Sequence, residues 1–163
     1  MYNMKRYIKS STYPDIVTQI LKTYGMPDYD KPNVYYHNTR MANVPGILQK
    51  GLLVDNTRNE DGSIWCTNKP YKQTYGGVTI AFNLNGISSF EQVNNDEFII
   101  HDDIPLNNIE FIDYIIVHDD YGDIYKLSDL PKLIAKFGTN KVIKVLSRFK
   151  NVECDIANLV KSI

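Results

Sequence analysis

Tyr36-His37-Asn38-Thr39-Arg40-Met41-Ala42-Asn43-Val44-Pro45-Gly46-Ile47-Leu48-Gln49-Lys50-Gly51-Leu52 joins a strand signal to a helix signal within seventeen residues. The aromatic and β-branched run Val34-Tyr35-Tyr36-His37 reads as a short strand ending on a histidine. Thr39 places a hydroxyl two residues further on. Asn43 is then expected to cap a short helix, with Pro45 in its first turn, Ile47 and Leu48 inside it and Gly51 as its stop.

Upstream, Thr12-x-x-Asp15 is a capping box for a helix carrying Ile16, Ile20, Leu21 and Tyr24, which Gly25 ends. Downstream, residues 54–63 form a polar loop. Ile64–Thr67 and Val78–Leu84 read as strands, and the second, apolar at almost every position, is expected to be central. Residues 86–95 read as loop. Glu97–His101 and Phe111–Val117 follow as strands. Leu130, Leu133, Ile134 and Phe137 share one face of a helix that Gly138 stops. Lys141–Leu146 is expected to be a last strand, and Ile156, Leu159 and Val160 a C-terminal helix. Strands in the middle and helices at both ends give an α+β class rather than alternating βαβ. No internal repeat, low-complexity tract or long linker interrupts residues 1–163, so one domain is expected. Neither GxGxxG after a strand nor GxxxxGK[ST] is present, which argues against the common nucleotide-binding folds.

The chain's 163 residues, 43% hydrophobic and 23% charged, suit one domain that buries roughly two-thirds of its unfolded surface. Nineteen acids against eighteen bases exclude a uniformly basic nucleic-acid coat. Lys and Arg read as scattered, with no basic stripe interleaved with aromatics. No apolar run approaches the ~18–20 residues that span a bilayer, and residues 1–10 lack the apolar segment of a secretion signal. Cys66 and Cys154 stand far apart, so neither a disulfide framework nor a Cys-rich zinc site is expected. These features predict a cytoplasmic protein with reduced thiols and no membrane partner.

From His37 to Leu52 the pattern resembles the first motif of the diphtheria-toxin-like ADP-ribosyltransferases, especially the poly(ADP-ribose) polymerase catalytic domain. There a strand-end His-Gly-[Ser/Thr] precedes an Asn, an Ile-Leu pair and a Gly-Leu. His37, Thr39, Asn43, Ile47 with Leu48, and Gly51 with Leu52 fall at that spacing. Asp61–Asn68, with Tyr75 ten residues after Trp65, looks like the family's Gly-Ile-Tyr-Phe strand and the tyrosine-bearing helix after it. Asn95–Asp102 is similar to the strand that carries the catalytic glutamate, here Glu97. The order His, aromatic, Glu matches the His-Tyr-Glu signature, and the resemblance covers roughly residues 34–117.

The resemblance implies an ADP-ribosyltransferase fold, two small and mostly antiparallel sheets around an NAD cleft with flanking helices. It further implies mono-ADP-ribosyl transfer from NAD to a macromolecular acceptor with nicotinamide leaving; the scattered Lys and Arg favour a protein acceptor over nucleic acid without deciding between them. Breaking the nicotinamide–ribose bond develops positive charge on the ribose, so hydrogen-bonding and anionic groups must aim at that sugar. On this analogy His37 binds ribose hydroxyls and Thr39 offers a hydroxyl near the nicotinamide amide. Tyr75 or Tyr71 stacks on the ring, and Glu97 holds the reacting ribose and stabilises its cationic transition state. Asn38, Asn43, Trp65 and Thr67 complete the implied NAD-binding set, with Trp65 as a packed wall of the cleft. Alternation places Glu97 and Ile99 on one face of their strand and Phe98 and Ile100 on the other.

Three departures qualify the analogy. Asn38 stands where the family has glycine, and Asn is the side chain most tolerant of left-handed backbone there. Trp65 replaces a tyrosine. His37 and Glu97 are 60 residues apart, far closer than in the polymerases, so transfer of a single ADP-ribose is expected. A Lys/Asn/Ile-rich, Arg-poor composition fits an AT-rich microbe or its virus, where a toxin or phage effector is the expectation.

The alternatives are a non-catalytic module that binds NAD or ADP-ribose or blocks a partner, to which Asn38 points, and an NAD glycohydrolase. An NAD-dependent RNA 2′-phosphotransferase would need arginines around an RNA phosphate, and the chain has only Arg6, Arg40, Arg58 and Arg148. His101-Asp102-Asp103 and His118-Asp119-Asp120 repeat a triplet that can bind metal. Adjacent residues of extended chain point to opposite faces, so solvated strand ends explain both triplets and no metal is expected.

Overall fold

Residues 16–24 form helix α1, whose Ile16, Val17, Ile20 and Leu21 are buried at helical spacing. The computed structural model describes residues 16–56, 62–70, 76–118, 123–148 and 160. After α1 come β1 (Tyr35–Arg40), a 3-10 turn (Met41–Asn43) and α2 (Val44–Lys50). The strands β2 (Ile64–Thr67), β3 (Gly77–Phe82), β4 (Phe90–Gln92), β5 (Glu97–Ile100), β6 (Ile109–His118) and β7 (Ile124–Lys126) follow. Helices α3 (Leu130–Phe137) and α4 (Thr139–Leu146) come last, so the class is α+β.

The strands form one sheet in the order β4-β5-β2-β1-β3-β6-β7, not the two small sheets expected. The physical reason lies in β1, which pairs antiparallel with β3 from Tyr35↔Phe82 to Arg40↔Gly77 and with β2 at Tyr36↔Thr67. β1 thereby joins the strands on its two sides into one ladder. As expected, β3 is interior, and Val78 through Phe82 are all buried.

Other expectations need correction. Lys141–Leu146 lies in α4, not in a strand. Its β-branched residues suggested extended chain, but Val142 and Leu146 are buried at i, i+4 spacing. The loop expected over 86–95 contains β4, an exposed edge strand whose Phe90 stacks on Phe98 with centroids 4.7 Å apart. The Thr12–Asp15 capping box and Ile156 and Leu159 fall outside the described residues, while Val160 is helical and buried.

Two compact units make up the chain. The unit of residues 28–112 contains β1 to β5, α2 and the first part of β6. On one side of its sheet Tyr35 meets Phe90 and Phe98 edge-on at 5.4 and 5.3 Å, and on the other Tyr29 meets Phe111 edge-on at 5.1 Å. Gly51 ends α2 with a φ of 82°, and a side chain there would strike the Ile104 carbonyl that pairs with Leu52. The second unit contains α1, the rest of β6, β7, α3 and α4. Its buried Asp113 accepts the backbone N–H groups of Tyr114 and Ser128 and the Ser128 hydroxyl, at 2.8, 3.2 and 2.7 Å.

Candidate functional site

β1 continues past His37 to Arg40, so it carries His37, Asn38 and Thr39 in succession between β2 and β3. His37 is half-buried, and its Nδ1–H donates to the Trp65 carbonyl of β2 at 2.8 Å. A carbonyl can only accept, which fixes the proton on Nδ1 and leaves the Nε2 lone pair as an acceptor. Burial pushes the His37 pKa below its ordinary value, opposed by the hydrogen bond to Trp65, so the ring is neutral at pH 7. β1 and β2 share the single registered pair Tyr36↔Thr67, whereas β1 and β3 stay paired along the whole of β1. The imidazole therefore bridges β1 and β2 just where their ladder opens.

Thr39 is buried, and Asn43 Nδ2 donates to its Oγ1 at 2.9 Å. Asn43 occupies the N-cap position of α2 without making the side-chain cap that the sequence predicts. Its backbone is already helical (φ −86°, ψ −15°) because the 3-10 turn runs straight into α2, and its amide reaches back to Thr39 instead. The Thr39 hydroxyl, accepting from Asn43, keeps its own proton to donate elsewhere.

Asn38 Oδ1 accepts the Thr79 hydroxyl at 3.2 Å across β1 and β3. Its backbone is extended, and Asn33 is the one non-glycine with positive φ among the described residues. The left-handed tolerance invoked for Asn38 is thus not needed.

The β2–β5 register sets Thr67 against Glu97 and Trp65 against Ile99. One row therefore crosses the sheet as Glu97, Thr67, Tyr36 and Ala81. Side chains of a row share a face, as do alternate residues of a strand. Glu97 accordingly stands on the face of Thr67, Trp65 and Asn38, while His37 and Thr39 spring from the opposite face of β1. The register gathers Glu97 with Thr67, Trp65 and Asn38, and it does not by itself bring Glu97 to His37. Trp65 is 39% exposed, so it is an open ring beside Glu97 and not the packed wall expected. Thr67 Oγ1 donates to the Lys69 carbonyl at 2.7 Å, and the Glu97 N–H is held by Asn94 Oδ1 at 2.9 Å. Tyr71 and Tyr75 lie outside the described residues.

Charge patterning adds a feature that motif spacing does not reveal. From Gln73 to Tyr125 the chain has ten acidic residues and no lysine or arginine. In the fold, lysines from outside the segment answer some of these acids: Lys69 pairs with Asp96, beside Glu97, at 3.3 Å, and Lys31 with Glu110 at 3.4 Å. Among the described residues, no three His, Cys, Asp or Glu side chains gather as a metal site would need. His101 Nε2 faces a Glu91 carboxylate oxygen at 3.4 Å, and Asp103 accepts the Val54 N–H at 2.8 Å. Asp119 and Asp120 fall outside the described residues. Burial drives the Cys66 thiol pKa up to about 12, which removes it as a nucleophile. No helix among the described residues is long and apolar enough to cross a membrane. Comparison with protein-family models, curated proteins and solved structures finds no match for this chain.

Proposed function

We propose that the chain is an NAD-dependent mono-ADP-ribosyltransferase that releases nicotinamide and moves one ADP-ribose onto a macromolecular acceptor. The observation that carries this reading is the neutral His37 ring, pinned by the Trp65 carbonyl in the opened seam between β1 and β2, with Glu97 two strands away. Two strand spacings, with β2 between, separate the backbones of β1 and β5 by ~10 Å. On this reading a dinucleotide engages His37 from one face of the sheet and Thr67 and Glu97 from the other, across the short pairing of β1 with β2.

Each group has a part that its chemistry permits. His37 Nε2 accepts a ribose hydroxyl and fixes the sugar. Thr39, its oxygen occupied by Asn43, donates its proton to the nicotinamide amide oxygen. The C1′–N bond breaks with its electron pair leaving on nicotinamide, and the Glu97 carboxylate stabilises the cationic ribose. An acceptor nucleophile then bonds to C1′ and gives up its proton. Trp65, exposed on the Glu97 face, offers that acceptor an aromatic surface, which suits a protein side chain.

The placement of His37 and Glu97 on opposite faces of the pleat favours a second reading, a module that binds NAD or ADP-ribose without turnover. Incubating the protein with labelled NAD and a cell lysate, beside Glu97→Ala and His37→Ala, separates the two. Transfer of label to macromolecules that is lost in both variants supports the transferase. Binding without release of nicotinamide supports the module, and free ADP-ribose as sole product indicates a glycohydrolase.

A further inference from the structure

Helices α3 and α4 are joined through Gly138 alone, which has a φ of 82°. With Tyr125 of β7 they form an open apolar cavity of about 180 Å3, lined by Leu133, Phe137, Val142, Val145 and Leu146. Lys141 stands at its rim. Phe137 remains 45% exposed, and the Lys136 and Lys141 ammonium groups lie 5.1 and 5.5 Å from its ring centroid. Lys132 and Lys144 are exposed on the same two helices, which contain no acidic residue. Four of the chain's fourteen lysines thus share this one hairpin.

From this placement we infer that the α3–α4 hairpin is a docking groove for an acidic amphipathic helix of a partner protein. A concave apolar slot beside an exposed aromatic ring takes side chains at i, i+3 and i+4 of a helix. The lysines on the rim select a partner whose flanking residues are acidic and repel a basic one. A nucleobase suits the slot poorly, because only Tyr125 and Lys141 among the lining side chains could pair with its polar edges. A lipid surface, being flat, would leave the concavity unfilled. The inference is independent of the NAD reading, since none of these residues belongs to the candidate site.

The test uses the full chain and fluorescence anisotropy. The probe is a fluorescein-labelled helical peptide with Leu and Phe on one face and Glu on the other. Its competitors are the same peptide with Lys for Glu, a single-stranded DNA and phosphatidylserine vesicles. The acidic peptide is expected to bind, more weakly as salt rises. Phe137→Ala and the pair Lys136→Gln with Lys141→Gln should each weaken it by about tenfold or more, with thermal unfolding confirming that both variants fold. Failure of the acidic peptide to bind, equal binding by the variants, or capture of the DNA or vesicles in its place would overturn the inference.

Discussion

Replacing Gly76 with alanine tests how β3 is joined to the strand that holds the candidate site. Gly76 has a φ of 75°, and a Cβ there would press on the Thr39 carbonyl and lie 2.7 Å from the Arg40 nitrogen. Ordinary contact begins near 3.4 Å, so the end of β1 must yield by at least about 0.7 Å. Gly86 supplies the control, because its φ is 78° and a Cβ there meets nothing within 4 Å. Both substitutions carry the left-handed backbone cost of about 1–2 kcal/mol. Only Gly76→Ala adds overpacking against a fixed strand, worth about 1–3 kcal/mol more. Urea unfolding should therefore show Gly76→Ala less stable than Gly86→Ala by that margin. If the proposed ADP-ribosyl transfer is the activity, displacement of Thr39 should also slow it by about tenfold or more in Gly76→Ala, and leave Gly86→Ala near wild type. Equal stability losses in the two variants would refute the claim that Gly76 is required by the close approach to Thr39.

The half-buried, neutral His37 makes stability depend on pH. Its folded pKa lies below the unfolded value, so the unfolded chain takes up the proton first. The contribution is whole above about pH 6.5 and is lost as pH falls through the folded pKa, with a slope of at most about 1.4 kcal/mol per pH unit. His37→Gln should flatten that part of the stability profile measured by urea titration, and an unchanged slope would contradict the assignment. Asp113→Ala strands the buried Tyr114 N–H and the part-buried N–H and hydroxyl of Ser128, so calorimetry should register a loss of about 3 kcal/mol. In a Cys154→Ser background, the Cys66 thiol should resist a disulfide reagent at about pH 8 until the protein unfolds, and rapid labelling of the native state would count against its burial.

Where local chemistry governed, the sequence was legible. Pro45 and Gly51 bracket α2 because one tolerates a missing amide and the other a left-handed end. The nearly continuous apolar run of β3, broken only by Thr79, announced an interior strand. Features set by distant partners were not legible. β4 and β7 are three residues long and bury too little to leave a pattern, and β1 extends through Asn38, Thr39 and Arg40 because β3 pairs with it along its length. Within the site, the motif spacing singled out His37, Thr39, Asn43 and Glu97. It did not foresee that Asn43 would bond to Thr39 instead of capping, that Trp65 would be open, or that the pleat would set His37 and Glu97 on opposite faces. Those depend on register, which period and spacing leave free.

A double-mutant cycle on nicotinamide release, using His37→Ala, Glu97→Gln and the two combined, bears most directly on whether one ribose engages both side chains. Groups acting together on one reacting sugar are non-additive, so the double variant should be about as slow as the slower single variant. Losses that simply multiply, as for residues serving separate surfaces of the sheet, would contradict it.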